Sequence, residues 1–345
     1  MPTTVRRRTV LAAALAVLAL AVTPAVADDT FELKIATVAP DKTPWADLLK
    51  GFKKTIEAKS KGRIKVRVFL GGTMGDENET VRMTARGQLS GVGASTGAVA
   101  SIVEDLAAIE IPFIFANASE ADYVLDKFLM APMEKRFKDK GLVLGFWSEN
   151  GFRHFAGSFP ITSPGDLKNK KMRSQESYVH LEMWKELGAA AQAIPTTEVT
   201  TSLKTGAVEG FDQALLYMVA GAWHTSVKHL TLSAHIYQPA VIAFNKDWFD
   251  KLPPDLQQLL LDEGRAITRK GRDAIRKMNP KLVDIIKKAG VKVDVLTPEQ
   301  RAAFVKATAG VRAVVKAKGK SAAEIVDLID AGVADFRAKA GGKGR

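Results

Sequence analysis

Arg173 stands near the end of a short basic stretch, PITSPGDLKNKKMRSQE, that runs from Pro160 to Glu176. A Pro-Gly-Asp turn leads into a strand-like segment, and the polar residues Ser174, Gln175 and Glu176 follow before a helical run begins. A guanidinium at the C-terminal end of a strand, facing a crevice, is suited to gripping a carboxylate. Its planar fork matches the two oxygens, and it does not lose its charge. Taken alone, the stretch favours a surface arginine on a basic turn, and the rest of the chain shifts that balance.

Other side chains offer less chemistry. The five histidines, His154, His180, His224, His229 and His235, form no compact metal-binding pattern. Glu209 with Asp212, and Asp76 with Glu77, are carboxylate pairs of the kind that run acid–base chemistry when buried. No nucleophile or base accompanies them in a recognisable arrangement. The glycine-rich Gly71-Gly72-Thr73-Met74-Gly75 lacks the Lys-Ser/Thr of a phosphate loop and reads as a strand-to-helix turn. With no cysteine in 345 residues, thiol catalysis, thiolate metal sites and disulfides are excluded.

These residues sit on an alternation of strands and helices. Arg6, Arg7 and Arg8, the apolar run Val10 to Val22 and Ala25-Val26-Ala27 form an export leader over 1–27, with an apolar run too short to span a bilayer. Strands are expected at 31–38, 63–70, 91–96 and 142–147, with helices at 44–60, 77–87 and 119–140 between them. After Asn150-Gly151 the pattern restarts with strands at 152–156, 170–174 and 191–194, and helices at 178–187 and 196–206. Segments 228–233 and 239–245 read as strands that cross between two lobes. An amphipathic helix is expected over 254–289, with a kink or break at Pro280. A strand at 291–296 and helices from Pro298 and Ser321 complete the chain, which ends in a frayed tail.

The fold class is therefore α/β, with two lobes joined by several crossings that suit hinge closure around a ligand. The expected division is 28–151 plus about 237–280 for the first lobe, and 152–236 plus about 290–335 for the second. Residues 340–345 form the disordered tail. The formal charge of +12 is dispersed over helical faces, which argues for a solvated basic surface rather than nucleic-acid binding. No segment beyond the leader is apolar for long enough to span a membrane.

At this point the chain resembles the DctP-type solute-binding proteins of TRAP transporters. The resemblance runs from Phe31 to about Leu328 on KIATVAPDKTPW, FLGGTMGDENETVRMTARGQL, IEIPFIF, NGFRHFAGSFPITSPGDLKNKKMR, LKTGAVEGFDQ and HLTLSAHIYQPAVIAFNKDWFDKLP, in that order. It implies the type II-like, two-lobe α/β periplasmic binding-protein fold with several hinge crossings and a long helix spanning both lobes, and a periplasmic receptor, without cofactor or catalysis, that closes on a small organic acid and delivers it to a membrane permease. Arg173 matches the family's carboxylate-binding arginine. Arg153 matches a second arginine that either binds ligand or braces the cleft wall through a salt bridge.

Where the family commonly reads Asp-Gly-Gln-Glu-Asn, this chain reads Glu209-Gly210-Phe211-Asp212-Gln213. Gln213 replaces the usual asparagine and keeps an amide for the ligand. Asp212 leaves room for calcium, as in relatives that take a 2-oxo or 2-hydroxy acid, although two oxygen donors fall far short of the roughly six to eight that calcium uses. Phe211-Asp212-Gln213 is expected opposite Arg173. Further cleft candidates are Trp45, Ser95, Thr96, Asn150, Gln175 and Tyr217. A periplasmic hydrolase or lyase using Glu209 and Asp212, and a sensory binding protein, are the rival classes.

Overall fold

The computed structural model describes residues 30–341, so the leader expected at 1–27 and residues 342–345 of the expected tail lie outside the described residues. The first part of the chain alternates as the sequence predicts: β1 (Phe31–Ala36), α1 (Pro44–Lys59), β2 (Ile64–Phe69), α2 (Glu77–Ala85) and β3 (Gly91–Ser95). Next come α3 (Thr96–Val99), a 3-10 segment (Glu104–Glu110), α4 (Ala118–Val124), a π-helical turn (Leu125–Leu129) and α5 (Met130–Asp139). The single helix expected at 119–140 is thus three pieces. After β4 (Leu142–Gly157) follow β5 (Lys171–Ser174), α6 (Tyr178–Glu186), β6 (Ala190–Ala193), α7 (Val199–Lys204), β7 (Gly210–Ala214) and α8 (Leu215–Ala220). The chain closes with β8 (His229–Asn245), α9 (Lys246–Asp250), α10 (Pro254–Lys288), β9 (Lys292–Val295), α11 (Pro298–Ala307), α12 (Val311–Lys316) and α13 (Lys320–Gly341).

The strands form one mixed sheet in the order β2-β1-β3-β8-β4-β7-β5-β6, with β9 on the other side of β8. Strand periodicity explains its layering. Val241 and Ala243 of β8 join one core with Leu142 and Leu144 of β4. Ala240, Ile242 and Phe244 join a second core with Val143 and Phe146. Helices cover both faces, which is why this part of β8 is an unbroken apolar run. At the edge, β2 buries Ile64 and Val66 and turns Lys65 and Arg67 outward, which discourages pairing with another chain.

Two expected breaks are absent. β4 runs through Asn150-Gly151 with a register shift between Glu149 and Gly151. Gly151, at φ 101°, takes up the irregularity in a conformation that other residues resist. Likewise β8 is continuous through His235–Gln238, with Ala234 at φ 44° beside the next shift in register. These two paired strands therefore run through both lobes. The first half of β4 and second half of β8 serve the β1–β3 side, and their other halves serve β7 and β9.

α10 is likewise unbroken at Pro280, contrary to the expected kink or break. Only one backbone donor is lost there, while Ile275, Leu282 and Ile286 keep both sides buried. Its 35 residues span about 50 Å at ~1.5 Å per residue. α10 lies along α1, β4 and α8, bracing both lobes. Arg272 holds Asp126 through two bonds of 2.7 and 2.9 Å, and Arg276 holds Asp122 at 2.7 and 2.8 Å and Glu149 at 2.6 Å. The expected tail is still helical at Gly341, because Lys339 is anchored to Asp335 at 2.7 Å and to the Tyr123 hydroxyl at 2.6 Å.

Candidate functional site

Strand ends and crossings converge on a constricted cavity with about 10 Å³ of free space. Glu77 from the first turn of α2, Thr196 after β6 and Tyr217 from α8 line it. Four amides complete the wall: Asn150 and Gln238 on the crossing strands, Gln175 just after β5, and Gln213 on β7. Turns bring each residue there. Asp76 ends the glycine-rich loop in an extended conformation, which sets Glu77 at the helix start. β5 and β7 are parallel neighbours, so their C-terminal ends open on the same side.

The two arginines occupy different environments. Arg153 is fully buried, and its donors are engaged by protein. Nε reaches Asp212 Oδ2 at 2.5 Å and Nη2 reaches the Asp212 carbonyl at 2.5 Å. Nη1 donates to Gln238 at 2.8 Å, Gln213 at 2.9 Å and Gln175 at 3.3 Å. This is the salt-bridged geometry of a brace.

Arg173 is 1% exposed. Nε donates to the Ile194 carbonyl at 2.9 Å, and Nη2 reaches the cavity-lining Thr196 hydroxyl at 3.4 Å. Nη1 is buried and finds no partner among the described residues. The guanidinium carbon lies 5.5 Å from the Trp223 ring centroid. Burial and the nearby Arg153 charge pull the group down to about 10, which leaves it charged at neutral pH. A buried cation without a matched anion is costly, and an incoming carboxylate would offset that cost.

Behind the cavity lies a polar network. Glu110 accepts from Gln238 at 2.9 Å, contacts His180 at 2.5 Å and binds the Thr96 hydroxyl, which also donates to the Pro239 carbonyl at 3.1 Å. Asp212 Oδ2 meets His235 at 3.3 Å and lies 3.7 Å from His180. Although burial opposes ionisation, the Arg153 charge and the His235 hydrogen bond hold Asp212 well below the usual carboxylate range. Burial pushes His235 down to about 4 despite Asp212, so its imidazole is neutral at pH 7. Glu77 moves the other way, to about 7, through burial and the adjacent Asp76 charge. Ser95 answers it with a backbone N–H at 2.8 Å and its hydroxyl at 2.9 Å, and that hydroxyl accepts from Gln175 at 2.7 Å.

Of the residues singled out in the sequence, Asn150, Gln175, Gln213 and Tyr217 line the cavity. Ser95 sits one hydrogen bond behind it and Thr96 two, through Glu110, while Arg153 and Asp212 form the brace. Trp45 is placed elsewhere, with its indole donating to the Glu149 carbonyl at 3.0 Å and its ring against Gly93. Phe211 pairs beside Arg173 on the neighbouring strand rather than opposite it, and its ring meets Trp223 edge-on at 5.3 Å.

The carboxylates of the rival enzyme reading do not meet. Glu209 lies at the surface and binds the Lys171 backbone at 3.0 Å, while Asp212 is fully buried. The Arg153 guanidinium stands where a cation on Asp212 Oδ2 would sit. The sequence shows Glu77 only as a neighbour of Asp76, and nothing in it marks the burial of Glu77 beside the cavity. Glu110, His180, His235, Gln238 and Thr196 were also missed. The signals available were the polar Gln238 inside an apolar strand and Glu110 inside IEIPFIF, both out of place unless partnered.

Residues 35–317 match the DctP family profile, described as bacterial extracellular solute-binding protein, family 7. A solute-binding protein of Verminephrobacter eiseniae is 34% identical over 275 residues, covering 79% of this chain and 82% of that protein. The 2,3-diketo-L-gulonate-binding periplasmic protein of Escherichia coli K12 is 28% identical over 257 residues, covering 74% and 77%. A crystal structure of a TRAP periplasmic solute-binding protein from Citrobacter koseri with bound D-glucuronate superposes with a TM-score of 0.81 at 27% identity, covering 88% of this chain and 99% of that one. The sugar acid binding protein of Advenella mimigardefordensis in complex with galactonate gives 0.83 at 27% identity, with the same two coverages. Among the described residues no helix is long and apolar enough to cross a membrane.

Proposed function

The chain belongs to the DctP family of bacterial extracellular solute-binding proteins, and from that premise we propose that it is a periplasmic receptor for a hydroxylated organic acid, which it hands to a TRAP membrane permease. The observation that carries the reading is Arg173: a buried, charged guanidinium with one terminal nitrogen that has no partner among the described residues. A ligand carboxylate supplies the missing anion. Gln175 and Gln238 are tied to Ser95, Glu110, Arg153 and each other, but Asn150 Oδ1 has no partner among the described residues and the Gln213 amide nitrogen is uncommitted, an acceptor and a donor that suit hydroxyl groups better than bare hydrocarbon. The similar proteins that hold D-glucuronate and galactonate support the same class.

The protein binds without turnover in this reading, since Glu209 lies at the surface and Asp212 is buried and paired with Arg153. The lobes divide at 28–151 plus about 237–280 and at 152–236 plus about 290–335, and they close by bending β4 and β8 near residues 149–151 and 234–238. A thermal-shift screen of D-glucuronate, D-galactonate and succinate tests the ligand class. An acid at 100 times its dissociation constant adds about 2.7 kcal/mol of stability. A screen in which no acid raises the melting temperature would contradict the proposal.

A further inference from the structure

Glu77 is the one carboxylate that lines the cavity. It is 8% exposed, and each of its oxygens has a single donor, both from Ser95. A carboxylate oxygen has capacity for two, so the group is under-satisfied as an anion. Its charged surroundings are few. Asp76 precedes it on the same helix start, Arg173 approaches from β5, and Tyr217 comes from α8. β3 and α3, which pack on α2, carry no charged residue, and the nearest polar group lining the cavity from β8 is the neutral Gln238. Glu176 and Arg153 lie one step further out.

An organic anion held by Arg173, whose Nη2 reaches the cavity-lining Thr196, therefore brings a second negative charge close to the buried Glu77. The two cannot both stay ionised at low cost, because like charges in a poorly solvated site raise one another's proton affinity. Resting on the carboxylate reading above, we propose that the receptor takes up a proton from solvent at Glu77 when it closes on an organic acid. Glu77 then faces the ligand as a neutral hydrogen-bond donor. At most one proton enters per acid bound, and no bond in the ligand changes. The free group already stands at about 7, so a further rise on binding falls within the ordinary pH range.

The sign follows from linkage. A group whose proton affinity rises on binding makes binding tighter at low pH and weaker at high pH. A one-unit rise weakens the dissociation constant ~10-fold from below pH 6 to above pH 9. His235, at about 4, and His154, at about 3, stay neutral throughout and contribute no slope. The consequence for specificity is that Glu77 rewards an acceptor oxygen, a hydroxyl or carbonyl, at that end of the acid.

Titration calorimetry with D-glucuronate, D-galactonate and succinate between pH 6 and 9, in two buffers of different ionisation enthalpy, counts the protons directly. Wild-type protein is expected to take up a fraction of one proton per acid near pH 7 to 8 and to lose affinity as pH rises. Glu77→Gln is expected to take up none and to bind with an affinity independent of pH. An acid that binds wild type without proton uptake overturns this inference and leaves the receptor reading intact. Uptake that persists in Glu77→Gln moves the proton to another group and also overturns it. Binding of none of the three acids removes the carboxylate reading and this inference with it.

Discussion

Replacing Arg153 with methionine should damage the fold, whereas the same replacement at Arg173 should not. Arg153 gives hydrogen bonds to both the side chain and the backbone of Asp212, and to Gln175, Gln213 and Gln238. Without it, the Asp212 carboxylate keeps only His235 at 3.3 Å on Oδ2, and Oδ1 has no partner. Two of the glutamines fare better: Gln213 Oε1 still accepts from the Ala214 N–H and Gln175 Oε1 from Gln238, while Gln238 Oε1 loses a neutral hydrogen bond. The loss is therefore dominated by one stranded buried carboxylate, which costs about 3–5 kcal/mol. With an unfolding entropy of ~2.1 cal/mol/K per residue over about 310 residues, that lowers the melting temperature by roughly 5–8 °C.

Calorimetric melts of the ligand-free protein at pH 7 make the comparison. Arg173→Met removes a buried charge that has no ion pair, so its melting temperature should equal or exceed that of wild type. The deficit of Arg153→Met should shrink in acid, because Asp212, released from the guanidinium, takes up a proton more readily there. Equal melting temperatures for Arg153→Met and wild type, or an equal drop for both variants, would refute the division between brace and clamp.

Two further outcomes are expected. Glu77 binds its proton more tightly folded, at about 7, than its ordinary 4.5. The stability it contributes is thus full below pH 4.5 and is lost as pH rises through 7. Urea midpoints of wild type should fall relative to Glu77→Gln across that interval, and parallel curves would contradict the buried placement. At Gly264, where α10 meets β4, an added Cβ would lie 2.1 Å from the Phe146 ring, so Gly264→Ala should cost about 1–3 kcal/mol by overpacking. A variant as stable as wild type in urea would show that the helix is free to shift.

The sequence displayed the layering and part of the site. Alternation in IKVRVF and the apolar run PAVIAFN announced their strands, because one face or both faces of a sheet must be buried. Arg173, Asp212 and Gln213 were visible through their place in ordered segments. Arg153 and Arg173 look alike in the sequence and separate only in three dimensions, where β7 brings Asp212 to one and not the other. Asn150-Gly151 has the composition of a turn, but pairing with β8 outweighs that preference and absorbs the extra residue as a register shift. Glu110, His180 and His235 come from a 3-10 segment, a helix and a crossing strand. No local pattern links them, and only the topology of the crossings brings them together.

The central claim is that Arg173 is the carboxylate clamp, and calorimetric titration of Arg173→Ala with the acid that most stabilises wild type tests it most directly. Losing a charge-assisted pair in a buried site removes about 3 kcal/mol or more, which is at least ~100-fold in affinity. The account predicts no measurable binding by a variant that still unfolds cooperatively. Binding within about threefold of wild type would contradict it.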